Sequence, residues 1–438
     1  MDKTTLTNCE FFTSDPEQTK KKVLNYAKKF STFCFLDNHQ YQLPHHSEEC
    51  ILAAGVKRTV RAQTGKALEQ LQEFLNEKSS WLFGHLGYDL KNEIEALRSE
   101  HFDGVGFPDL YFFEPELLIR LSGSQLIIEA GDPLKIKEEI DHVEINDKTG
   151  NSFPVISQRF SQQEYIDTVN KLKEHIRRGD CYEINFCQEF FTTAKIDPLT
   201  VFLRLSKISP NPFSSLYRVD DHWLICASPE RYIRKEGDNI LSQPIKGTMK
   251  RELADVAADE GYKLALSESE KDRSENVMVV DLVRNDLSKV CEESSVGVDE
   301  LFGIYSFPQV HQMISTVSGK LRKDISFADI IRATFPMGSM TGAPKKKVME
   351  LIEQYERTRR GIFSGAVGYI SPDGDFDLNV VIRSIMYNAA TDYLCFQAGS
   401  GITFYSDAES EWEECLLKVS GMFRVLGVEA EVIKGKEG

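Results

Sequence analysis

One acidic segment of the chain, residues 259–287, carries two carboxylates at helical spacing. Asp272 lies one turn before Glu275, and Glu275 falls on an otherwise apolar face. The apolar residues of that face are Leu264, Val279 and Leu282. A carboxylate on such a face is costly to desolvate unless it is paired or binds a cation. The spacing makes both acids candidate ligands, although a solvated face with ordinary charge pairs is the simpler interpretation.

A second acidic segment near the end of the chain repeats this pattern. Glu411 and Glu414 are three positions apart within the predicted helix 408–426, and Lys418 follows four positions after Glu414. Mg²⁺ takes one or two carboxylates together with oxygens of water and substrate. Two helices that each present a carboxylate pair would therefore suit a Mg²⁺ site.

A lysine, Lys246, lies between Pro244 and Gly247 in a predicted turn. A lysine held in such a restricted place can lose its solvation and become a nucleophile. A surface turn lysine is the commoner interpretation of the same pattern. Glu230 follows the predicted strand 223–227 and so places another carboxylate near a strand end.

Two glycine-rich stretches offer backbone N–H donors. Residues 338–345 (GSMTGAPK) enter a predicted helix near Pro344, where the free N–H groups of a first turn can hold an anion. Residues 399–401 (GSG) are predicted as a small turn directly after a strand. Neither stretch matches a phosphate-loop pattern, and structural turns of this kind are frequent.

The elements that must position these residues mix strands and helices without a regular alternation. Residues 162–178 have helical periodicity, with Ser161 as the N-cap and Gly179 after the end. Strands are predicted at 183–191, 223–227, 366–370, 380–387 and 393–398. This order favours an α+β fold over a doubly wound parallel sheet. The polar, turn-rich residues 141–154 are the predicted linker after an N-terminal region.

The composition of the 438 residues fits a globular protein, since 41% are hydrophobic and 27% are charged. The formal net charge is -16, and no basic stripe offers a surface for nucleic acid. No apolar window is long enough to span a membrane, and the N-terminus lacks a signal-peptide pattern. The nine cysteines are scattered without CxxC spacing, as is typical of reduced thiols. We therefore expect a cytoplasmic enzyme that binds neither nucleic acid nor membrane.

Several motifs occur in an order that resembles the chorismate-utilising enzymes. They read SPER, QPIKGTMKR, KDRSENVMVVDLVRNDLSKVC, FPMGSMTGAPKKKVMELIE, GIFSGAVGYISPDGDFDLNVVIRS and AGSGITFYSDAESEWEECLLK. They cover roughly residues 162–426, and WLFGHLGYD at 81–89 resembles the family more loosely. The resemblance implies an α+β fold like that of anthranilate synthase component I, with antiparallel sheets flanked by helices. It also implies an N-terminal region over 1–145 and a chorismate-binding catalytic domain over 160–435.

Within this family, PIKGT resembles the branch that makes 4-amino-4-deoxychorismate for para-aminobenzoate and folate synthesis. The anthranilate-forming branch has Ala where this chain has Lys246. The resemblance implies that Lys246 attacks ring carbon 2 of chorismate while Glu230 protonates the departing carbon-4 hydroxyl, and that ammonia then displaces the lysine. Because the lysine must be neutral to attack, we expect burial or nearby cations to lower its pKa. Anthranilate synthesis and non-catalytic chorismate binding are the alternatives.

The resemblance also assigns a cofactor, a partner and binding residues. It implies Mg²⁺, with Glu275 and Glu414 as ligands and with Asp272 and Glu411 as water-mediated supports. Arg383 and Lys418 are expected to meet substrate carboxylates. The other expected substrate contacts are Thr248, Thr341, Gly342, Gly399 and Gly401. A separate glutamine amidotransferase subunit is expected to supply the ammonia.

Three positions depart from the family pattern. Glu183 stands where water-using members carry a water-activating lysine and where ammonia-using members usually carry Gln. Gln312 stands where the family often has His, and Phe363 replaces a Tyr of anthranilate synthases. The absence of a lysine at position 183 argues against water as the nucleophile, but the sequence assigns Glu183 no role. Residues 35–38 resemble the family's tryptophan site only loosely, so no tryptophan feedback is expected.

Overall fold

The chain folds into strands and helices that a computed structural model describes for residues 7–41, 45, 48–145, 155–308 and 310–428. The strands are β1 (Thr7–Phe12), β2 (Thr32–Asp37), β3 (Cys50–Ala54), β4 (Arg58–Ala62), β5 (Leu82–Leu86), β6 (Leu110–Glu114), β7 (Leu117–Ser122), β8 (Gln125–Ala130), β9 (Ser157–Gln158), β10 (Glu183–Thr193), β11 (Phe213–Val219), β12 (His222–Ser228), β13 (Arg231–Glu236), β14 (Asn239–Gln243), β15 (Ile245–Lys250), β16 (Gly297–Ser306), β17 (Val310–Lys320), β18 (Gly342–Ala343), β19 (Ala366–Ile370), β20 (Phe376–Asn379), β21 (Ser384–Asn388) and β22 (Tyr393–Ile402). The helices are α1 (Pro16–Ala27), α2 (Ala67–Glu77), α3 (Lys91–Ile94), α4 (Pro133–Asp141), α5 (Gln162–Arg177), α6 (Pro198–Ile208), α7 (Val256–Glu268), α8 (Glu270–Ser288), α9 (Phe327–Thr334), α10 (Lys345–Tyr355) and α11 (Ala408–Val425).

Two antiparallel sheets form the framework. The larger sheet has twelve strands in the order β1-β8-β7-β3-β2-β11-β12-β21-β22-β10-β18, with β9 also paired to β10. The smaller sheet has ten strands in the order β15-β17-β14-β13-β20-β19-β5-β6-β4, with β16 also paired to β17. Helices such as α11 pack on the larger sheet and α8 packs on the smaller one. The predicted α+β fold of antiparallel sheets flanked by helices is confirmed.

Both sheets combine strands from the beginning and from the rest of the chain. In the larger sheet, β2 pairs with β11 between Thr32 and Val219, and in the smaller sheet β5 pairs with β19 between Leu86 and Ala366. The predicted N-terminal region thus forms backbone hydrogen bonds with the predicted catalytic domain in both sheets. Most of the predicted linker, residues 146–154, lies outside the described residues.

The helix predicted at 162–178 is confirmed as α5. Ser161 and Glu164 form a reciprocal capping box at its start, and Gly179 follows its end with φ +81°. No helix in the described part of the chain is both long enough and apolar enough to cross a membrane.

The single helix predicted over 259–287 is wrong in one respect, because α7 ends and α8 begins at Ser269. The Ser269 side chain accepts a hydrogen bond from the Asp272 N–H at 3.3 Å and so caps a new helix. Leu264 therefore lies on α7 and is 57% exposed, whereas Glu275 on α8 is buried.

Two strand predictions also need correction. The strand expected over 380–387 begins only at Ser384, because Arg383 has φ +50° and interrupts the extended backbone. The GSG stretch at 399–401 is no turn, since β22 continues through it in register with β10.

Candidate active site

Lys246 lies on β15, where the pairing with β17 is irregular between Ile245 and Thr248. Its Nζ donates a hydrogen bond to Glu183 Oε1 at 2.5 Å, and both side chains are buried. Glu183 is the first residue of β10. The predicted turn is therefore an irregular strand, which brings an amine from the smaller sheet against a carboxylate from the larger one.

The ion pair between Lys246 and Glu183 fits here because Gly401 has no side chain. A Cβ on Gly401 would lie 2.6 Å from Glu183 Oε1 and 2.9 Å from Lys246 Nζ. Gly399, on the same strand, has a different constraint, because a Cβ there would lie 1.8 Å from the carbonyl oxygen of Phe186. Any side chain at either position would push the neighbouring groups apart.

The charged groups around Lys246 are acids, whereas the sequence led us to expect burial or nearby cations that lower its pKa. Burial lowers the pKa of Lys246, but the carboxylates of Glu183 and Glu275 raise it by more, so the pKa lies above its ordinary value. The expected lowering is wrong because acids, rather than cations, face the amine. Lys246 is therefore an ammonium group that needs a proton acceptor before it can attack a substrate.

Glu230 lies between β12 and β13 and is 4% exposed. Burial raises its pKa to about 7, although Ser339, the backbone at Ile245 and the charge of Lys246 offset part of the rise. A carboxyl with such a pKa is protonated in a substantial fraction of molecules near neutral pH. This is the property that a general acid requires.

Three of the four acids predicted on the two helices lie close to one cationic group, the ammonium of Lys271. The Nζ of Lys271, on α8, lies 3.3 Å from Glu411 Oε1 and 4.0 Å from Glu414 Oε2, both on α11. It also lies 3.9 Å from Glu275 Oε1 on its own helix. Carboxylates from α8 and α11 thus surround the Lys271 ammonium group.

The donor set suits a hard divalent cation. Buried oxygens of Glu275 (Oε1) and Glu411 (Oε2) accept no hydrogen bond within the described residues. Burial raises the pKa of Glu275 to about 7 against the opposing effect of Lys246, so a bound cation would favour its ionised form. Among the described residues, no three Asp, Glu, His or Cys side chains form a metal site by themselves. Mg²⁺ needs only one or two carboxylates, since water and substrate oxygens fill its other positions.

Asp272 is held next to the strand of the lysine. Gly247, which follows Lys246, has φ +93°, and a Cβ on it would lie 3.0 Å from the Cβ of Asp272. The first turn of α8 therefore packs against β15. This contact fixes the distance between the lysine and Glu275, one turn further along α8.

Two basic side chains differ in how they are paired. Lys418 contacts Glu414 Oε1 at 2.7 Å and donates to the Gly399 carbonyl at 2.9 Å. Although burial raises the pKa of Glu414, the charge of Lys418 helps to bring it below its usual value. The Arg383 guanidinium forms no hydrogen bond or ion pair with any described residue, and burial lowers its pKa while Glu230 opposes that shift. Arg383 thus offers an open site for a planar anion.

The expected contacts of the GSMTGAPK stretch are only partly available. Thr341 is buried, and its hydroxyl donates to the Met337 carbonyl at 3.1 Å. Gly342 allows a close backbone approach, because a Cβ there would lie 2.1 Å from the carbonyl oxygen of Glu183. Thr248 lies two residues after Lys246 and is exposed.

A buried arginine that the sequence analysis missed connects these parts. Arg360 donates to the Met340 carbonyl at 2.7 Å and to the Asn185 carbonyl at 2.8 Å, and it pairs with Glu356 at 2.6 Å. Glu356 also accepts a hydrogen bond from the Cys187 N–H at 2.8 Å. Arg360 therefore fixes the turn before Thr341 to the strand that begins with Glu183. In the sequence, the basic run RTRRG contains Arg360 and could have marked it as a candidate structural or functional residue.

The fold and this arrangement of a buried lysine beside two acidic helices define a class of enzyme. Residues 11–424 match the family of chorismate binding enzymes, and the chain belongs to this family. Its relatives include aminodeoxychorismate synthase component 1 of Escherichia coli (strain K12), which is 32% identical over 86% of each chain.

Two further comparisons agree with this assignment. The protein of the same name from Klebsiella aerogenes is 39% identical over 61% of this chain, but the match spans only 58% of that relative. The crystal structure of anthranilate synthase component I from Streptococcus pneumoniae TIGR4 has a TM-score of 0.75 and is 23% identical, covering 88% of this chain and 95% of that one. The similarity to this structure confirms the expected fold.

Proposed function

We propose that this chain is the chorismate-converting component of an aminodeoxychorismate synthase. It would combine chorismate with ammonia to give 4-amino-4-deoxychorismate and water, a step toward para-aminobenzoate and folate. The relatives named aminodeoxychorismate synthase support this proposal. The observation that carries it is the burial of Lys246 within reach of Glu183 and of the acids on α8 and α11.

Substrate binding must place a dianion in a protein whose net charge is -16. The open guanidinium of Arg383 is the best candidate for one carboxylate, since a planar fork can bind it through two hydrogen bonds. Lys418, whose ammonium group pairs with Glu414, is the candidate for another anionic group. Mg²⁺, held by Glu275 and Glu414 with Asp272 and Glu411 in support, would supply positive charge at a substrate carboxylate.

The chemistry divides one displacement into two steps. Lys246, once neutral, attacks ring carbon 2, the ring double bonds shift toward carbon 4, and the carbon–oxygen bond there breaks. Glu230 donates its proton to the departing oxygen, which leaves as water. Ammonia then attacks carbon 4, the double bonds shift back, and the bond from carbon 2 to Lys246 breaks. The new ammonium group on carbon 4 returns one proton to the Glu230 carboxylate.

The source of ammonia is part of the same proposal. The relatives are named as component 1, so they act with another component. We propose that the partner of this chain is a glutamine amidotransferase subunit, and that ammonium salt can replace it in the test tube.

The decisive experiment identifies the product by mass. The purified chain is incubated with chorismate, MgCl₂ and ammonium chloride. We expect 4-amino-4-deoxychorismate. Fluorescent anthranilate would instead indicate that the chain is an anthranilate synthase component. Chorismate that binds but stays unchanged would contradict an enzymatic role.

A further inference from the structure

The two proposed steps of the reaction make no use of the contact between Lys246 and Glu183. Glu183 is 1% exposed, and its Oε1 lies 2.5 Å from the lysine Nζ. Its other oxygen, Oε2, is buried and accepts no hydrogen bond within the described residues. Lys246 is also the one cation that pairs with Glu183 in the described part of the chain. Burying a carboxylate is costly unless it is paired, and Lys246 is the partner that offsets this cost for Glu183.

Other acids face Lys246 but are less well placed to take its proton. Glu275 on α8 and Glu414 on α11 act on it electrostatically, yet neither lies within hydrogen-bond distance of Nζ. Glu230 also senses the lysine charge, and the proposed reaction needs it as a proton donor. Among the described residues, Glu183 is thus the carboxylate in direct contact with the amine.

We propose that Glu183 is the catalytic proton acceptor for Lys246, an inference that rests on the proposed function. In the first step, an N–H bond of the ammonium group breaks and an O–H bond forms on Glu183. The freed electron pair on Nζ then forms the bond to ring carbon 2, as the carbon–oxygen bond at carbon 4 breaks and Glu230 protonates the leaving oxygen. When ammonia displaces the lysine, Nζ recovers its electron pair and Glu183 returns the proton.

The surroundings of Glu183 hold its side chain beside the Lys246 Nζ. Gly401 packs against both partners and leaves no room for a side chain between them. The backbone of Glu183 is fixed by pairing with Ala343 and by the close approach of Gly342. A protonated Glu183 therefore stays beside Nζ until the lysine is released. An amide at this position could not accept a proton.

The test compares variants of the full chain with ammonium chloride as nitrogen source. Glu183→Gln keeps the shape of the side chain but cannot take a proton, so kcat should fall roughly a hundredfold or more while KM for chorismate changes little. Glu189→Gln is the matched control, because Glu189 is also buried on β10 but pairs with Arg159 at 2.8 Å. This control should retain the wild-type kcat.

Chemical rescue separates proton transfer from a structural role. Glu183→Ala opens space for a small carboxylate, and added formate should restore part of the lost rate. An unchanged kcat in Glu183→Gln would overturn the proposal, as would a loss in Glu183→Ala that formate does not restore. A wild-type chain that forms no 4-amino-4-deoxychorismate would contradict the proposed function, which distinguishes the two failures.

A measurement without turnover checks the pairing itself. Acetic anhydride modifies neutral amines, and mass spectrometry of the peptide that contains Lys246 gives its labelling rate. Because Glu183 holds the lysine as ammonium, Glu183→Ala should be labelled faster than the wild type at neutral pH. Thermal unfolding establishes that each variant is folded. Equal labelling rates would overturn the pairing on which the proposal depends.

Discussion

Lys271 Nζ lies 3.3 Å from Glu411 Oε1 and so joins α8 to α11 across the candidate metal site. The same ammonium group is within 4.0 Å of Glu275 and of Glu414. A monovalent side-chain cation thus lies among the acids that would hold a divalent ion. Lys271 and Mg²⁺ should therefore compete for these carboxylates.

Replacing Lys271 by Met should lower the free energy of unfolding by about 1 kcal/mol without Mg²⁺, because three acids lose a shared, half-exposed partner. Added Mg²⁺ should then raise the melting temperature more in the variant than in the wild type. Thermal unfolding in EDTA and in MgCl₂ measures both effects. Lys263→Met, which removes only a surface pair with Glu260, is the control. The same response to Mg²⁺ in all three proteins would count against this metal site.

Replacing Lys246 should remove the covalent step. Lys246→Ala should lower the rate of 4-amino-4-deoxychorismate formation by a factor of roughly a hundred or more. Lys246→Arg keeps a positive charge beside Glu183, but its guanidinium does not become a neutral nucleophile. Both variants should therefore be inactive, while the arginine variant stays closer to wild-type stability. Substantial activity of Lys246→Arg in a coupled lyase assay would show that the site needs only the charge.

The pKa of Glu230, raised to about 7 by burial, predicts the alkaline limb of the pH–rate profile. The protonated form is the active one for a general acid, so it predominates below that pKa and is lost as the pH rises through it. We expect kcat to decline above about pH 7. Glu230→Gln should have a low rate without this limb. A profile of unchanged shape in the variant would assign the limb to another group.

Gly401 provides a test of the close packing around the lysine. Gly401→Ala would place a Cβ 2.9 Å from Nζ, so we expect the ion pair to separate and kcat to fall at least about tenfold. Gly421→Ala is the control, because this glycine lies in α11 with open space around it. Alanine there should stabilise the helix by about 0.5–1 kcal/mol without loss of activity. Equal activity of the two variants would show that the pair tolerates displacement.

The sequence allowed correct predictions where residues that act together lie close to one another along the chain. The paired acids on α8 and α11 follow from helical periodicity, and the order of motifs led to the family and the fold. The break at Ser269 was harder to predict, because a serine within a helical pattern becomes a cap only when the next turn packs differently. The GSG stretch looked like a turn because glycine is common in turns, whereas its pairing with β10 depends on tertiary contacts.

The contact between Lys246 and Glu183 could not be predicted in this way. The two residues are 63 positions apart and come from different sheets, so no local pattern connects them. The pKa of Lys246 was mispredicted for the same reason, since it depends on acids from three separate elements. Lys271 could have been noticed, because it stands four positions before Glu275 on the acidic helix.

The pairing of β2 with β11 and of β5 with β19 has a consequence for how this polypeptide tolerates cleavage. If a peptide bond between residues 145 and 155 were broken, the two fragments would still be held together by the backbone hydrogen bonds of these two strand pairs. Each fragment made alone would expose one unpaired edge strand in each of the two sheets. Such edges promote aggregation. Synthesised side by side, the fragments should instead reassemble by completing each other's sheets.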